Sequence, residues 1–268
     1  MAKLRILLRA PENTVFVGKE LLHLERVDST NTYLKDLLST GKRLNEGLLV
    51  FAEEQFAGKG QLGNSWISNP GENITLSVLF YPVFLEIRHI FYFNKAIALA
   101  VRDTVNEILK EKDEDYEPVM IKWPNDILIG RKKVAGILIE NSLKSTGIEN
   151  SIVGIGINVN QVFASNTSLY AVSIKEILGE HVDFHKILMI LCTFLEKYYL
   201  MLRGFKFMEI EDQYHSYLFA LGEERNFNVG GTLLKGIIRG VGEKGLLNIE
   251  INGLIKQYDM KEIGFVFN

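Results

Sequence analysis

Residues 118–140 read PVMIKWPNDILIGRKKVAGILIE, and residues 151–159 read SIVGIGINV. Both stretches are rich in Val and Ile, and their apolar runs are of strand length. Gly130-Arg131 marks a tight turn between DILI and KKVAGILIE. No helical pattern separates these strands, and parallel neighbours would need a crossover. The stretch therefore speaks against a doubly wound parallel sheet and predicts an α+β fold with antiparallel pairings in a mixed sheet.

Working outward toward the start, LLHLERV at 21–27 reads as a strand and DSTN at 28–31 as a helix-capping signal. TYLKDLLST then places Tyr33, Leu34, Leu37 and Leu38 on one helical face, with Gly41 as the stop. GLLVFAEEQ and ITLSVLF read as strands on either side of the glycine-rich AGKGQLGNSW. Residues 86–110 form the longest predicted helix, with Ile90, Ile97, Val101, Val105 and Ile108 at helical spacing. Toward the end, helices are predicted at 173–179, 183–203 and 207–220. From Leu221 the texture changes to four short strands, RNFNVG, TLLKGIIRGV, GLLNIEI and LIKQYDM, parted by glycine turns. The reading is a catalytic domain over 1–220 and a small β-barrel domain over 221–268.

Of the 268 residues 47% are hydrophobic and 24% charged, which suits a packed core and excludes wholesale disorder. A net charge of −3 gives no bulk attraction to nucleic acid. No apolar run reaches the roughly 18–20 residues that cross a bilayer, so no membrane partner is expected and a cytoplasmic location is. Cys192, the single cysteine, sits in ILMILCTFL and reads as a packing residue. His181 and His185 are four apart but lack the intervening pattern and third ligand of a metal site, so none is assigned.

Three segments carry chemistry. Gly58-Lys59-Gly60-Gln61-Leu62-Gly63 spells G-x-G-x-x-G, yet loop residues and then a strand follow where a dinucleotide fold needs a helix. Asn64 stands where a P-loop needs lysine. What remains is a plain hairpin or, given Lys59, Gln61, Asn64 and Trp66 within one turn-rich stretch, a loop that closes over a phosphate ester with backbone N–H groups and a lysine as donors. The second segment, Lys122-Trp123-Pro124-Asn125-Asp126 with Lys133 and Gly136, brackets a rigid turn with two lysines. Its glycine admits close approach of a ligand or another backbone. The third, Gly154-Ile155-Gly156-Ile157-Asn158, offers small residues and one amide at a strand end.

Taken together, DSTN (28–31), EEQ-x-AGKGQLGNSW (53–66), KWPNDI (122–127), KKVAGILIE (132–140) and GIGINVN (154–160) resemble the biotin protein ligase family in order and spacing. The resemblance implies the fold related to class II aminoacyl-tRNA synthetases, with a seven-stranded mixed sheet, and an SH3-like module over 221–268. Only about 20 residues precede the first core strand, so a monofunctional ligase without a helix-turn-helix domain is expected. The implied activity is adenylation of biotin with ATP and Mg2+, then transfer to a lysine of a biotin carboxyl carrier protein. By position, Ser29, Thr30, Asn31 and Gln55 would meet the ureido end of biotin. Lys59, Gly60 and Gln61 would cover the adenylate, and Trp66 the adenine. Lys133, beside Gly136, would hold the carboxylate and α-phosphate. Lys122, Asn125 and Asn158 would serve ATP, Lys133 and Lys59 the catalysis, and Asp126 the proton or orientation of the incoming amine. The loop departs from the family's GRGRRGR, with Lys59, Gln61, Leu62 and Asn64 in place of arginines. A lipoate–protein ligase and a non-catalytic biotin sensor are the alternatives; a homodimer stays open.

Overall fold

The computed structural model describes residues 10–110, 116–145, 147–163 and 170–267. A seven-stranded sheet forms the body. Its strands are β1 (Leu21–Val27), β2 (Leu49–Gln55), β3 (Asn73–Phe80), β4 (Val119–Lys122), β5 (Asp126–Ile129), β6 (Lys132–Lys144) and β7 (Gly147–Asn158), in the order β1-β2-β3-β7-β6-β5-β4. Only β1 and β2 pair parallel, joined through helix α1 (Thr30–Ser39). Every other neighbour is antiparallel, as the helix-free run predicts.

Each face of the sheet has its own cover. Helix α1 closes one side over Leu24, Val50, Leu79 and Ile152. On the other side lie α2 (Ile90–Leu109) and α4 (Phe184–Arg203), preceded by the short α3 (Ile174–Leu178). Helices α2 and α4 are 20 residues each, so the first is not longer than the second. No Gly or Pro interrupts α2, which begins at Ile90 after a 3-10 turn over Ile87–His89. α3 begins in a capping box between Ser173 and Glu176 and ends on left-handed Gly179.

Helix α5 (Phe207–Ser216) stops four residues before its predicted end. The segment after it pairs with β4 instead: Ile121 N–H donates to Tyr217 O, and Phe219 N–H to Ile121 O, both at 2.8 Å. Extending the sheet edge satisfies backbone groups that another helical turn would have satisfied internally.

The last part of the chain forms a five-stranded antiparallel sheet, β11-β10-β9-β8-β12, from β8 (Glu224–Val229), β9 (Thr232–Val241), β10 (Leu247–Ile251), β11 (Leu254–Tyr258) and β12 (Ile263–Phe265). The fifth strand, β12, is additional to the four read from sequence. Its hydrophobic residues belong to the same core cluster as the large sheet's helices. Three polar contacts tie the sheets together. Trp123 Nε1 donates to Gly245 O at 2.8 Å, Val241 N–H donates to His215 Nε2 at 2.9 Å, and buried Lys95 reaches Val241 O at 3.3 Å. Lys95 also pairs with Glu211 inside a box of Phe91, Tyr92 and Tyr214. Burial pushes its ammonium below the usual lysine range, with Glu211 opposing.

Candidate active site

The sheet register explains why glycines recur in the motif strands. Asp126, Gly136, Gly156 and Thr75 lie side by side across β5, β6, β7 and β3. The adjacent row is Leu138, Gly154 and Ser77. At Gly156 a Cβ would collide with the Trp66 indole, and at Gly136 it would meet Trp66 Cζ3 at 3.1 Å and Lys133 Nζ at 3.0 Å. At Gly154 it would press on Asn31 Oδ1. The glycines thus clear a trough into which Trp66 and Asn31 settle.

Above this trough is a cavity of about 260 Å3. It brings together Ser29, Thr30, Asn31, Gln55, Lys59, Gly60, Gln61, Trp66, Lys122, Asn125, Asp126, Lys133 and Gly136. These come from β2, α1, the loop after β2, and β4 through β6, so the seven-stranded sheet is what assembles them.

One end of the cavity is polar and buried. Gln55 Oε1 accepts Thr30 N–H at 2.7 Å and lies 3.1 Å from Thr30 Oγ1. Ser77 Oγ lies 2.5 Å from Asn31 Oδ1 and 2.7 Å from Thr30 Oγ1. With a single proton, Ser77 donates to the amide oxygen and accepts from the threonine. Asn31 Nδ2 donates to Glu140 Oε2 at 2.8 Å. Asn31 is thereby fully engaged, whereas Gln55 Nε2 and the Ser29 hydroxyl have no partner among the described residues. Ser29 caps α1 by position, with extended backbone and no side-chain capping bond.

The other end is charged. Lys133 Nζ and Lys122 Nζ reach opposite oxygens of Asp126, at 2.5 Å and 3.1 Å. Lys133 also lies 5.6 Å from the Trp66 ring centre, and Lys122 lies 5.2 Å from that of Phe265. Trp66 Nε1 is buried with no acceptor among the described residues. Asn125 spends its amide on the frame, donating to Ile137 O at 2.7 Å, while its own carbonyl accepts Ile137 N–H at 3.0 Å.

The glycine-rich segment is neither a dinucleotide-binding turn nor a P-loop. It folds back on itself, with Trp66 N–H donating to Gly58 O at 2.9 Å and Gly60 N–H to Asn64 O at 2.7 Å. Leu62 and Gly63 turn the tip through left-handed backbone. Lys59 leans on α1, donating to Thr32 Oγ1 at 2.9 Å.

Asn158 departs from expectation. It is buried outside the cavity lining, with Nδ2 within 3.3 Å of Lys133 O and 3.2 Å of Val172 O. Its two amide hydrogens serve one carbonyl each, which braces the backbone that carries Lys133. Sequence reading also missed Ser77, Glu140 and the wall formed by Met260, Ile263, Gly264 and Phe265. Ser77 was visible as a hydroxyl inside an apolar strand, and Glu140 as an acid closing KKVAGILIE. The apolar IGFVF at 263–267 was the overlooked strand signal.

The lone cysteine takes no part. Cys192 is fully buried in α4, and burial pushes its thiol from 9.0 up to about 12. No helix among the described residues is long and apolar enough to cross a membrane.

Residues 23–158 match the model of the Biotin/lipoate A/B protein ligase family. Over 247 residues the chain is 28% identical to the bifunctional ligase/repressor BirA of Bacillus subtilis, covering 91% of this chain and 73% of that protein. It is 29% identical over 230 residues to the biotin–[acetyl-CoA-carboxylase] ligase of Paracoccus denitrificans, covering 84% and 91%. Among solved structures, the biotin protein ligase from Aquifex aeolicus in complex with biotin and ATP superposes with a TM-score of 0.76 at 28% identity. That match spans 93% of this chain and 100% of the other.

Proposed function

The chain belongs to the biotin/lipoate A/B protein ligase family, and on that premise we propose that it is a biotin–protein ligase, adenylating biotin with ATP and passing it to a carrier lysine. One observation carries the reading: a single cavity has a buried amide-and-hydroxyl end and a two-lysine end. Biotin has matching halves, a ureido group that both donates and accepts hydrogen bonds and a carboxylate. Gln55 Nε2 and Ser29 Oγ are the free groups that meet the ureido carbonyl and N–H. The dithiolane of lipoate offers no such donors, which favours biotin over the lipoate alternative.

In the first step a carboxylate oxygen of biotin bonds to the α-phosphorus of ATP, entering as its magnesium complex, and the bond to the β-phosphate breaks to release pyrophosphate. No protein nucleophile is required. Two anions must be brought together, and Lys133 and Lys59 offset their repulsion while charge grows on the phosphoryl oxygens. Trp66 covers the adenine, with Lys122 and Asn125 framing the nucleotide. In the second step the carrier amine, arriving neutral, bonds to the acyl carbon, the bond from that carbon to the phosphate oxygen breaks, and the proton shed by the new amide nitrogen leaves with AMP or to water. Asp126 has both oxygens held by lysines, so its part is to orient those ammonium groups rather than to take the proton. Residues 221–268 act as a small appended module whose β12 walls the nucleotide side, and the reaction is placed in the cytoplasm.

The test is incubation with biotin, ATP and a biotin carboxyl carrier domain, followed by intact mass measurement. A mass increase matching one biotin, dependent on ATP, supports the proposal. Pyrophosphate release without carrier modification would leave only adenylation. Equal or better use of lipoate in competition would replace biotin as the substrate, and no release with either acid would point to a sensor.

A further inference from the structure

A second cleft lies at the other end of the large sheet. β2 delivers Gln55 to the cavity from its last residue, while this cleft is built from the segment before β2, the segment after antiparallel β3, and the end of α4. It has a volume of about 520 Å3 and is lined by Arg43, Glu46, Tyr81, Phe84, Tyr199 and Arg203, among others. Glu46 is already used: its Oε1 accepts Tyr199 O–H at 2.5 Å and Tyr81 N–H at 2.8 Å. Arg43 and Arg203 form no ion pair among the described residues. With Glu46 the only carboxylate in the lining, the two arginines leave the cleft an excess of positive charge on a chain of net charge −3.

The backbone beside the cleft holds an independent anomaly. α4 closes with Phe205 N–H donating to Leu202 O at 2.9 Å and Lys206 N–H to Met201 O at 3.1 Å. The left-handed residue of such a cap is ordinarily glycine. Here it is Phe205, at φ 56, while Gly204 one place earlier sits at φ −81. Phe205 is nonetheless 60% exposed, with its ring 6.2 Å from that of Phe84 in the cleft wall. Val83, on the same rim, is 69% exposed. Strained backbone that presents an aromatic ring to water, beside arginines that have no ion pair among the described residues, is the pattern of a recognition surface rather than of a core.

We propose that this cleft binds an acidic peptide segment of a partner protein. A carboxylate sits between Arg43 and Arg203, and an aromatic or branched aliphatic side chain lies on Phe84 and Phe205. The apolar rim is of no use to a compact anion, and the Glu46 carboxylate in the floor repels a multiply charged one such as phosphate. An extended peptide places its acid and its apolar side chain on separate parts of the cleft. The occupant leaves the adenylation cavity open, and the proposal does not depend on the reaction performed there.

The test uses the whole protein and synthetic peptides in which Asp and Glu alternate with Phe and Leu. Calorimetry should find saturable binding that weakens with added salt. A peptide with Lys in place of the acids should not bind. Arg43→Ala combined with Arg203→Ala should weaken binding by about tenfold or more, with pyrophosphate exchange unchanged. Phe205→Gly discriminates most sharply. It relieves the backbone and removes the ring, so the melting temperature should hold or rise while peptide affinity falls. The proposal is overturned if no peptide binds, if the Lys peptide binds equally, or if inorganic phosphate displaces the peptide at similar concentration. It is equally overturned if Phe205→Gly lowers the melting temperature and leaves peptide affinity unchanged, because Phe205 would then be packing.

Discussion

Lys133 Nζ lies 2.5 Å from Asp126 Oδ1, on the neighbouring strand, and the same carboxylate is shared with Lys122. Asp126 therefore fixes where two cations point, and the direction matters more than the charge alone. Lys133→Ala should lower pyrophosphate exchange by about 10²–10³-fold, as loss of a preorganised charge-stabilising donor does. Its melting temperature should change little, because the side chain is 36% exposed. Asp126→Asn should slow the same exchange with both lysines still present. Near-normal exchange in Lys133→Ala would remove Lys133 from the mechanism.

Trp66 rests on two glycines, which allows it to be displaced without touching it. Trp66→Ala should weaken ATP binding more than biotin binding, by roughly 1–3 kcal/mol if it covers the adenine. Gly156→Ala should imitate it, because the added methyl drives into the indole. Titration calorimetry with each ligand decides the matter. Equal weakening of both, with a lowered melting temperature, would make Trp66 a core residue.

The loop over residues 58–66 has three backbone bonds of its own, from the N–H groups of Gly60, Asn64 and Trp66, but leaves those of Gln61 and Leu62, at the start of its 3-10 turn, without a partner among the described residues. Hydrogen exchange at the amides of Gln61 and Leu62 should slow when biotin and ATP are both present, while Gly60, Asn64 and Trp66 are protected from the start. Gln61→Gly should release the adenylate early, consuming ATP without matching carrier modification. Equal exchange with and without ligands, together with tight coupling in Gln61→Gly, would identify the loop as a static wall.

Alkaline pH should unfold the protein. Burial, then Asp103, raises the phenol of Tyr198, and burial, then Glu46, that of Tyr199. Burial, then Glu211, raises Tyr214, all from 10.0, and Cys192 rises from 9.0 to about 12. Each holds its proton more tightly folded than unfolded, so its contribution is complete below the unfolded value and is lost as pH climbs toward the folded one. Tyr81 and Tyr92 are raised as well, burial first, and Lys95 acts in the opposite sense, one group against six. Denaturant midpoints should start to fall above pH 9 and fall more steeply above pH 10. Cys192→Val should remove the part beginning near 9. A flat profile to pH 11 would contradict the assignment.

Much of this was legible because the motifs are local in sequence and the register is simple. Gly136 and Gly156 announce close approach wherever they stand in apolar strands, and the helix-free run from 118 to 159 fixes the antiparallel order. The place of Asn158 was less legible for the opposite reason. A buried amide at a strand end serves a ligand or a backbone equally well, and only the position of Ala171-Val172 beside Lys133 reveals which. Ser77 and Glu140 were hidden because their roles depend on Asn31, far away along the chain. The early end of α5 was hidden too, since helical propensity carries no record of an unpaired sheet edge awaiting residues 217–219.

β12 completes one wall of a cavity whose other walls come from residues 29–156. On the ribosome, that wall is made after the large sheet and its helices, which precede it in the chain. A nascent chain can therefore display its lysines and its polar end before it can enclose a nucleotide. A chain stalled before Ile263 would carry a folded sheet with that cavity unroofed.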